Sequence, residues 1–188
     1  MSGRSPPVRR QQPAGLRRAC RNAAQAARAP LPREDRVAAP TAPPAAIGAA
    51  VVIRDGASRV LLVHHTYGRL NWELPGGGSE PRESAAQTAM REAREELGVH
   101  VTLGRLVGVY WEPGWGSGRG MHHFVFTAEL TGPLPSRSPD TNEISDWGWF
   151  DPSSLPRPIS DFTVRRITDA IANAPRTLTA IAERTWLE

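Results

Sequence analysis

Three glutamates, Glu92, Glu95 and Glu96, fall in one stretch of sequence whose apolar residues recur at helical spacing. At about 100° per residue they share an arc of roughly 100°, while Ala86, Ala89, Met90, Ala93 and Leu97 fill the neighbouring arc. Glu92 and Glu96 stand at i,i+4, where like charges destabilise a helix by roughly 0.2–0.5 kcal/mol. A cation bound on the arc removes that penalty. Oxygen ligands on a rigid helix suit a hard ion, Mg2+ with Mn2+ as the alternative, which keeps positions open for water and phosphate oxygens. The plainer reading is a solvated charged face laced by Arg91 to Glu95. Two features weigh against it. The acids are confined to one arc while Arg91 and Arg94 sit elsewhere, and Gly76-Gly77-Gly78 precede the helix, where their backbone can approach a ligand closely.

The elements that position these acids can be read around them. Ser84 and Gln87 have the spacing of a capping box and Gly98 supplies a left-handed stop, so the helix is predicted over 85–97. Ahead of it, IGAAVVIR and RVLLVHH are two β-branched runs joined by Asp55-Gly56-Ala57-Ser58, a turn of the hairpin type. NWELP reads as a short extended piece and the three glycines as a loop. After the helix, VTLGRLVGVYW, MHHFVFTAEL and ISDWGWF read as strands, and Phe162, Val164, Ile167 and Ile171 give a C-terminal helix.

Gly77, five residues, Glu83, seven residues and then Arg91-Glu92-Ala93-Arg94-Glu95-Glu96-Leu97-Gly98-Val99 resemble a complete Nudix box. NWELPGGG before it and WGWFDPSSLP after it resemble the flanking segments of that family. The resemblance implies an α/β/α sandwich with a central mixed sheet, and a magnesium-dependent hydrolase that cuts a pyrophosphate linkage in a nucleotide-like substrate. It also implies roles. Glu95 and Glu96, with the carbonyl of Gly77, match metal ligands, and Glu92 matches a residue that binds metal or activates water. Arg91 matches an arginine that orients the acids, and Glu83 a glutamate that braces the loop or touches an outer-shell metal. A further acid often comes from a distant loop; Glu143, ahead of the last strand, is the candidate, with Asp140 and Glu112 competing.

Outside the box, His64-His65 and His122-His123 are adjacent pairs on predicted strands, so the two members of each point to opposite faces and do not share one metal. Phe124 and Phe126 share the face of His122, which leaves His123 on the other face as a substrate contact. Trp111 and Trp115, around the glycine-rich EPGWGSGRG stretch, are candidates for stacking on a base, against packing in a plain hairpin loop.

Composition sets the remaining bounds. The 188 residues, 39% hydrophobic, suffice for one well-cored domain with tails. The net charge is +4 and every basic residue is arginine. Nine arginines against Glu34 and Asp35 leave residues 1–45 at +7, and the remainder at −3. That leader, rich in Arg, Pro and Ala, is predicted to be a disordered tail, ahead of a transit-peptide reading, with non-specific nucleic-acid contact as its widest role. Residues 46–174 form the expected hydrolase domain and 175–188 a C-terminal extension. No run of about 18 apolar residues exists to span a membrane, and the lone Cys20 offers no intrachain disulfide, so a cytoplasmic monomer or homodimer is expected. A nucleoside triphosphate or related nucleotide is the expected substrate. The alternatives are an ADP-ribose or nucleotide-sugar pyrophosphatase and a non-catalytic nucleotide sensor of the same fold.

Overall fold

The structure is a computed structural model that describes residues 45–114, 119–138, 140, 142–173, 177–180 (backbone only) and 184–188. The N-terminal leader and Trp115 therefore lie outside the described residues.

In chain order the elements are β1 (Ala46–Ile53), β2 (Val60–His65), β3 (Trp72–Glu73), β4 (Gly76–Gly78), α1 (Ala85–Leu97), β5 (Val101–Glu112), β6 (Met121–Leu130), β7 (Ile144–Phe150), β8 (Ile159–Ser160), α2 (Asp161–Ile171), β9 (Thr177–Ala180) and β10 (Trp186–Leu187). They form two five-stranded mixed sheets, ordered β4-β1-β6-β5-β9 and β10-β8-β3-β2-β7. The pairs β1–β6, β5–β9 and β3–β8 are parallel and the others antiparallel.

The layering follows from β1 and β2, which are apolar at almost every position and so must be covered on both faces. Ala49, Val51, Ile53, Leu61 and Val63 pack in one cluster with Ala89, Ala93 and Leu97 of α1. Ala50, Val52, Val60 and Leu62 point the other way and meet Phe162, Ile167 and Ala170 of α2. The period of two along each strand thus divides a single hydrophobic run between two cores, one helix to each side. This is the expected α/β/α arrangement, with two mixed sheets in its middle layer.

Three details depart from the sequence reading. The turn at Asp55 forms as expected, its carboxylate accepting from the amides of Ala57 and Arg59. Yet β1 and β2 do not continue as a hairpin. Beyond one bridge, Arg54 to Val60, they part into different sheets, because β1 pairs with β4 and β6 while β2 pairs with β3 and β7. The three glycines are a strand, antiparallel to β1 through Gly48–Gly78, Ala49–Gly77 and Ala50–Gly76. Finally, the stretch set apart as an extension contributes a strand to each sheet, β9 beside β5 and β10 beside β8.

Candidate active site

Helix α1 begins and ends where its caps require. The Ser84 hydroxyl accepts from the Gln87 amide, the Gln87 side chain accepts from the Ser84 amide, and Gly98 closes the helix at φ 69°. Ala89 and Ala93 are fully buried, and their small size lets the helix axis lie close to β1. That approach presses the acidic arc against the glycine strand. A Cβ on Gly77 would stand 2.5 Å from the Glu92 carboxylate, and one on Gly76 2.3 Å from the Ala49 carbonyl, so neither position has room for a side chain.

The acids divide into those that Arg91 holds and one that it does not. Arg91 pairs with Glu83 at 3.0 Å, Glu92 at 2.8 Å and Glu95 at 2.8 Å, and donates to the Gly78 carbonyl at 2.8 Å. Its hydrogen bonds, with those of the Glu80 amide and Thr88, hold the Glu83 carboxyl down at about 2. Glu96 is sealed from water, and its carboxylate accepts from the Gly76 amide at 2.9 Å. Burial pushes Glu96 well above the ordinary carboxylate range; the Gly76 amide opposes this, while Glu92, Glu143 and Glu73 add to it. Glu92 is raised as well, chiefly by burial, with Arg91 opposing and Glu95 and Glu143 reinforcing.

Glu143 stands just before β7. The Asp140 carboxylate accepts from the amides of Asn142 and Glu143, and the Glu143 carbonyl accepts from the Thr66 amide, so this turn is tied to the end of β2. Its charge bears on Glu92 and Glu96. Asp140 thus shapes the turn that presents Glu143. Glu112, the other competing acid, is engaged elsewhere, with His123 at 2.8 Å and Arg184 at 2.7 Å. Burial works to raise its carboxyl, and those two contacts outweigh burial and bring it to about 2.

Among the described residues no three His, Cys, Asp or Glu side chains form a ready-made metal cage. The geometry gives the reason: the Arg91 guanidinium engages Glu92 and Glu95. The donor set nonetheless fits a divalent cation. Glu83, Glu92 and Glu95 surround Arg91, the charges of Glu96 and Glu143 bear on the same group, and no ion pair among the described residues reaches Glu96.

Beside the acids a cleft of about 490 Å³ opens between the sheets, with Gly76–Gly78, Ala49 and Ala50 on one side. Several of its residues make contacts that sequence reasoning missed or placed only in part. Glu73, buried, receives Arg166 at 2.6 Å and the Thr163 hydroxyl at 2.8 Å. Burial works against the Glu73 carboxylate, yet Arg166, Arg184, the Leu74 amide and Thr163 hold it below its ordinary value. His123 lines the same cleft from β6, with its ring 5.1 Å from that of Phe162. His65 also lines it, stacked on Tyr67 at 4.7 Å, and its Nε2 is buried without a hydrogen-bond partner among the described residues. The Tyr67 hydroxyl is pushed up to about 12 by partial burial and by Glu96, Glu143, Glu73 and Glu92.

Trp111 does not line this cleft. It is registered with His122, its ring 4.6 Å from that imidazole and packed against Gly120, on the face of β5 opposite Tyr110 and His123. The one signal for Glu73 and Arg166 was charge at positions that pattern assigns to the interior: Glu73 between Trp72 and Leu74, and Arg166 one turn after Phe162 on the apolar arc of α2.

Residues 44–170 match the family model of the NUDIX domain. A Bacillus subtilis (strain 168) protein provisionally named an 8-oxo-dGTP diphosphatase is 32% identical over 122 residues, 65% of this chain and 77% of that protein. The RNA pyrophosphohydrolase of Erythrobacter litoralis (strain HTCC2594) is 31% identical over 123 residues, 57% of this chain and 74% of that one. Among solved structures, a NUDIX hydrolase from Nitrosomonas europaea superposes with a TM-score of 0.59 at 26% identity, covering 70% of this chain and 92% of its own. With the acids of α1 held against the glycine strand at the edge of a cleft, and with this similarity running through both sequence and fold, the chain belongs to the Nudix family and is a hydrolase of phosphorus-containing acid anhydrides.

Proposed function

We propose that this hydrolase is Mg2+-dependent, with Mn2+ as the alternative ion, and cuts a nucleoside triphosphate or related nucleotide to monophosphate and pyrophosphate. The observation that carries this reading is the buried Glu96, without an ion-pair partner among the described residues and bonded to the amide of Gly76, which lines a cleft of about 490 Å³. A space of that size suits one nucleotide, and a second sugar would need more enclosing surface. The relatives named for 8-oxo-dGTP and for RNA support a nucleotide substrate.

Glu92, Glu95 and Glu96 with the Gly77 carbonyl would hold the ion. When bound, it neutralises phosphate oxygens and acidifies the water that attacks them. Arg91 keeps Glu83, Glu92 and Glu95 in fixed relation to one another. Glu92 or Glu143 takes the proton from the attacking water, which calls for a carboxyl raised toward neutrality, as Glu92 is. His123 lines the cleft as a candidate substrate contact.

A panel of nucleotides incubated with Mg2+ or with excess chelator tests this reading. Turnover is expected only with the ion, and catalytic efficiency on at least one nucleoside triphosphate should exceed that on ADP-ribose. A tenfold preference for ADP-ribose or a nucleotide sugar over every triphosphate would overturn the substrate assignment, and full activity in chelator the metal assignment.

A further inference from the structure

One wall of the cleft is built by residues beyond the family-matched region, which ends at residue 170. Arg184 and Trp186 both line the cleft. Strand β10 is fastened there through Trp186–Ser160 and Leu187–Ile159. Thr185 adds two bonds to the start of α2: its carbonyl accepts from the Asp161 amide at 2.8 Å and its amide donates to the Asp161 carboxylate at 3.0 Å. The half-buried Trp186 ring is therefore held in place. The Arg69 guanidinium lies 5.0 Å from the ring centre and pairs with Glu188 at 2.8 Å, and Arg69 and Tyr67 line the cleft as well.

An indole, a phenol and a guanidinium plane thus share a cleft whose other side is the glycine strand that faces the acids. All three stack favourably on a flat π-system. A nucleotide has two ends of different chemistry, one polyanionic and one flat and aromatic. The acids and their cation claim the first, and Trp186 and Arg69, which line the same cleft, offer flat faces to the second. Trp111, which the sequence reading put in this role, is occupied with His122.

We infer that Trp186, backed by Arg69, is the stacking platform for the nucleobase of the substrate, which makes the C-terminal strand a specificity-determining part of the site; this rests on the nucleotide reading above. Stacking accepts any base face and reads no hydrogen-bonding edge, so it selects nucleotides over base-free polyphosphates.

The test separates KM from kcat in the full-length chain for Trp186→Leu, which keeps apolar bulk and removes the π-face, and Trp186→Phe, which restores one. With a nucleoside triphosphate, the Leu variant should raise KM about tenfold with kcat within about twofold. The Phe variant should recover most of the loss, and turnover of methyl triphosphate, which has no base, should be unchanged. A nucleotide KM unmoved in the Leu variant, or an equal loss on methyl triphosphate, overturns the inference. Should thermal melting show the Leu variant unfolded, Arg69→Gln at an exposed side chain replaces it. A rise in nucleotide KM of about threefold then supports the inference, and an unchanged KM overturns it. A wild-type protein that turns over no nucleotide defeats the proposed function and this inference with it, whereas wild-type turnover with the variants unaffected defeats the inference alone.

Discussion

Glu73 and Glu96 are both buried carboxylates, Glu73 lining the cleft and Glu96 bonded to the cleft-lining Gly76, and their environments drive them in opposite directions. Glu73 meets the Arg166 guanidinium, the Thr163 hydroxyl and the Leu74 amide, and is held ionised below its ordinary range. Glu96 meets one amide and three other acids, and is driven well above that range. Burial is common to both, so the partner decides. A buried carboxylate with its own guanidinium is complete and braces the fold. One surrounded by acids is complete only when something positive arrives, and in this family the chemistry calls for such a charge.

The sharpest way to break this comparison is to remove the satisfied acid. Glu73→Gln leaves Arg166 buried without its counter-charge, for which a loss of about 3–5 kcal/mol in stability is expected. Denaturant unfolding measures it, and a loss under about 1 kcal/mol would show that the pair braces nothing.

A smaller effect sharpens the same contrast through pH. Glu96 and Glu92 are raised in the folded chain, so above the unfolded carboxylate value of about 4.3 the native state binds more protons than the unfolded one. Their contribution to stability is therefore present at low pH and is lost as pH climbs through the raised values. Glu83 and Glu112, both near 2, lose theirs only on acidification below that window. The buried His65 and His123, both lowered by burial, work the other way over pH 5 to pH 8, so the quantity to read is the stabilisation that saturating Mg2+ adds to the thermal melt, which should grow with pH. An identical pH profile with and without Mg2+ would argue that no ion meets these acids.

The two sides of the cleft were unequally legible in the sequence. The acid side lies within 23 residues, Gly77 to Val99, and its determinants are local: a capping box, a glycine stop and a 3.6-residue period fix helix α1 and the arc it presents. The other side is assembled from distant pieces. Glu73 and Arg166 are 93 residues apart, and nothing local to either specifies the other. The glycine strand has no side chains to show a period of two, and β10 has two residues, too few for any pattern. The β1–β2 hairpin misled because the Asp55 turn is real while the pairing beyond it is set by β4, β6, β3 and β7. Trp111 is open to two readings in the sequence because a loop-flanking aromatic has two faces to choose from, and its register with His122 sets it opposite His123. Side-chain alternation placed Phe124 and Phe126 on one core and His123 toward the other, as the sequence reading expected.

The central claim is that Glu96 awaits a cation and serves chemistry while its folding role is dispensable. The most direct measurement compares Glu96→Gln with the wild type for Mg2+-dependent turnover and for metal-free thermal stability. A fall in kcat/KM on the order of a thousandfold, about 4 kcal/mol of transition-state stabilisation, should accompany an unchanged or raised melting temperature, because the substitution removes an unfavourable buried charge. Turnover within tenfold of the wild type, or a variant that unfolds while Mg2+ still supports full activity in the remaining native fraction, would contradict the account.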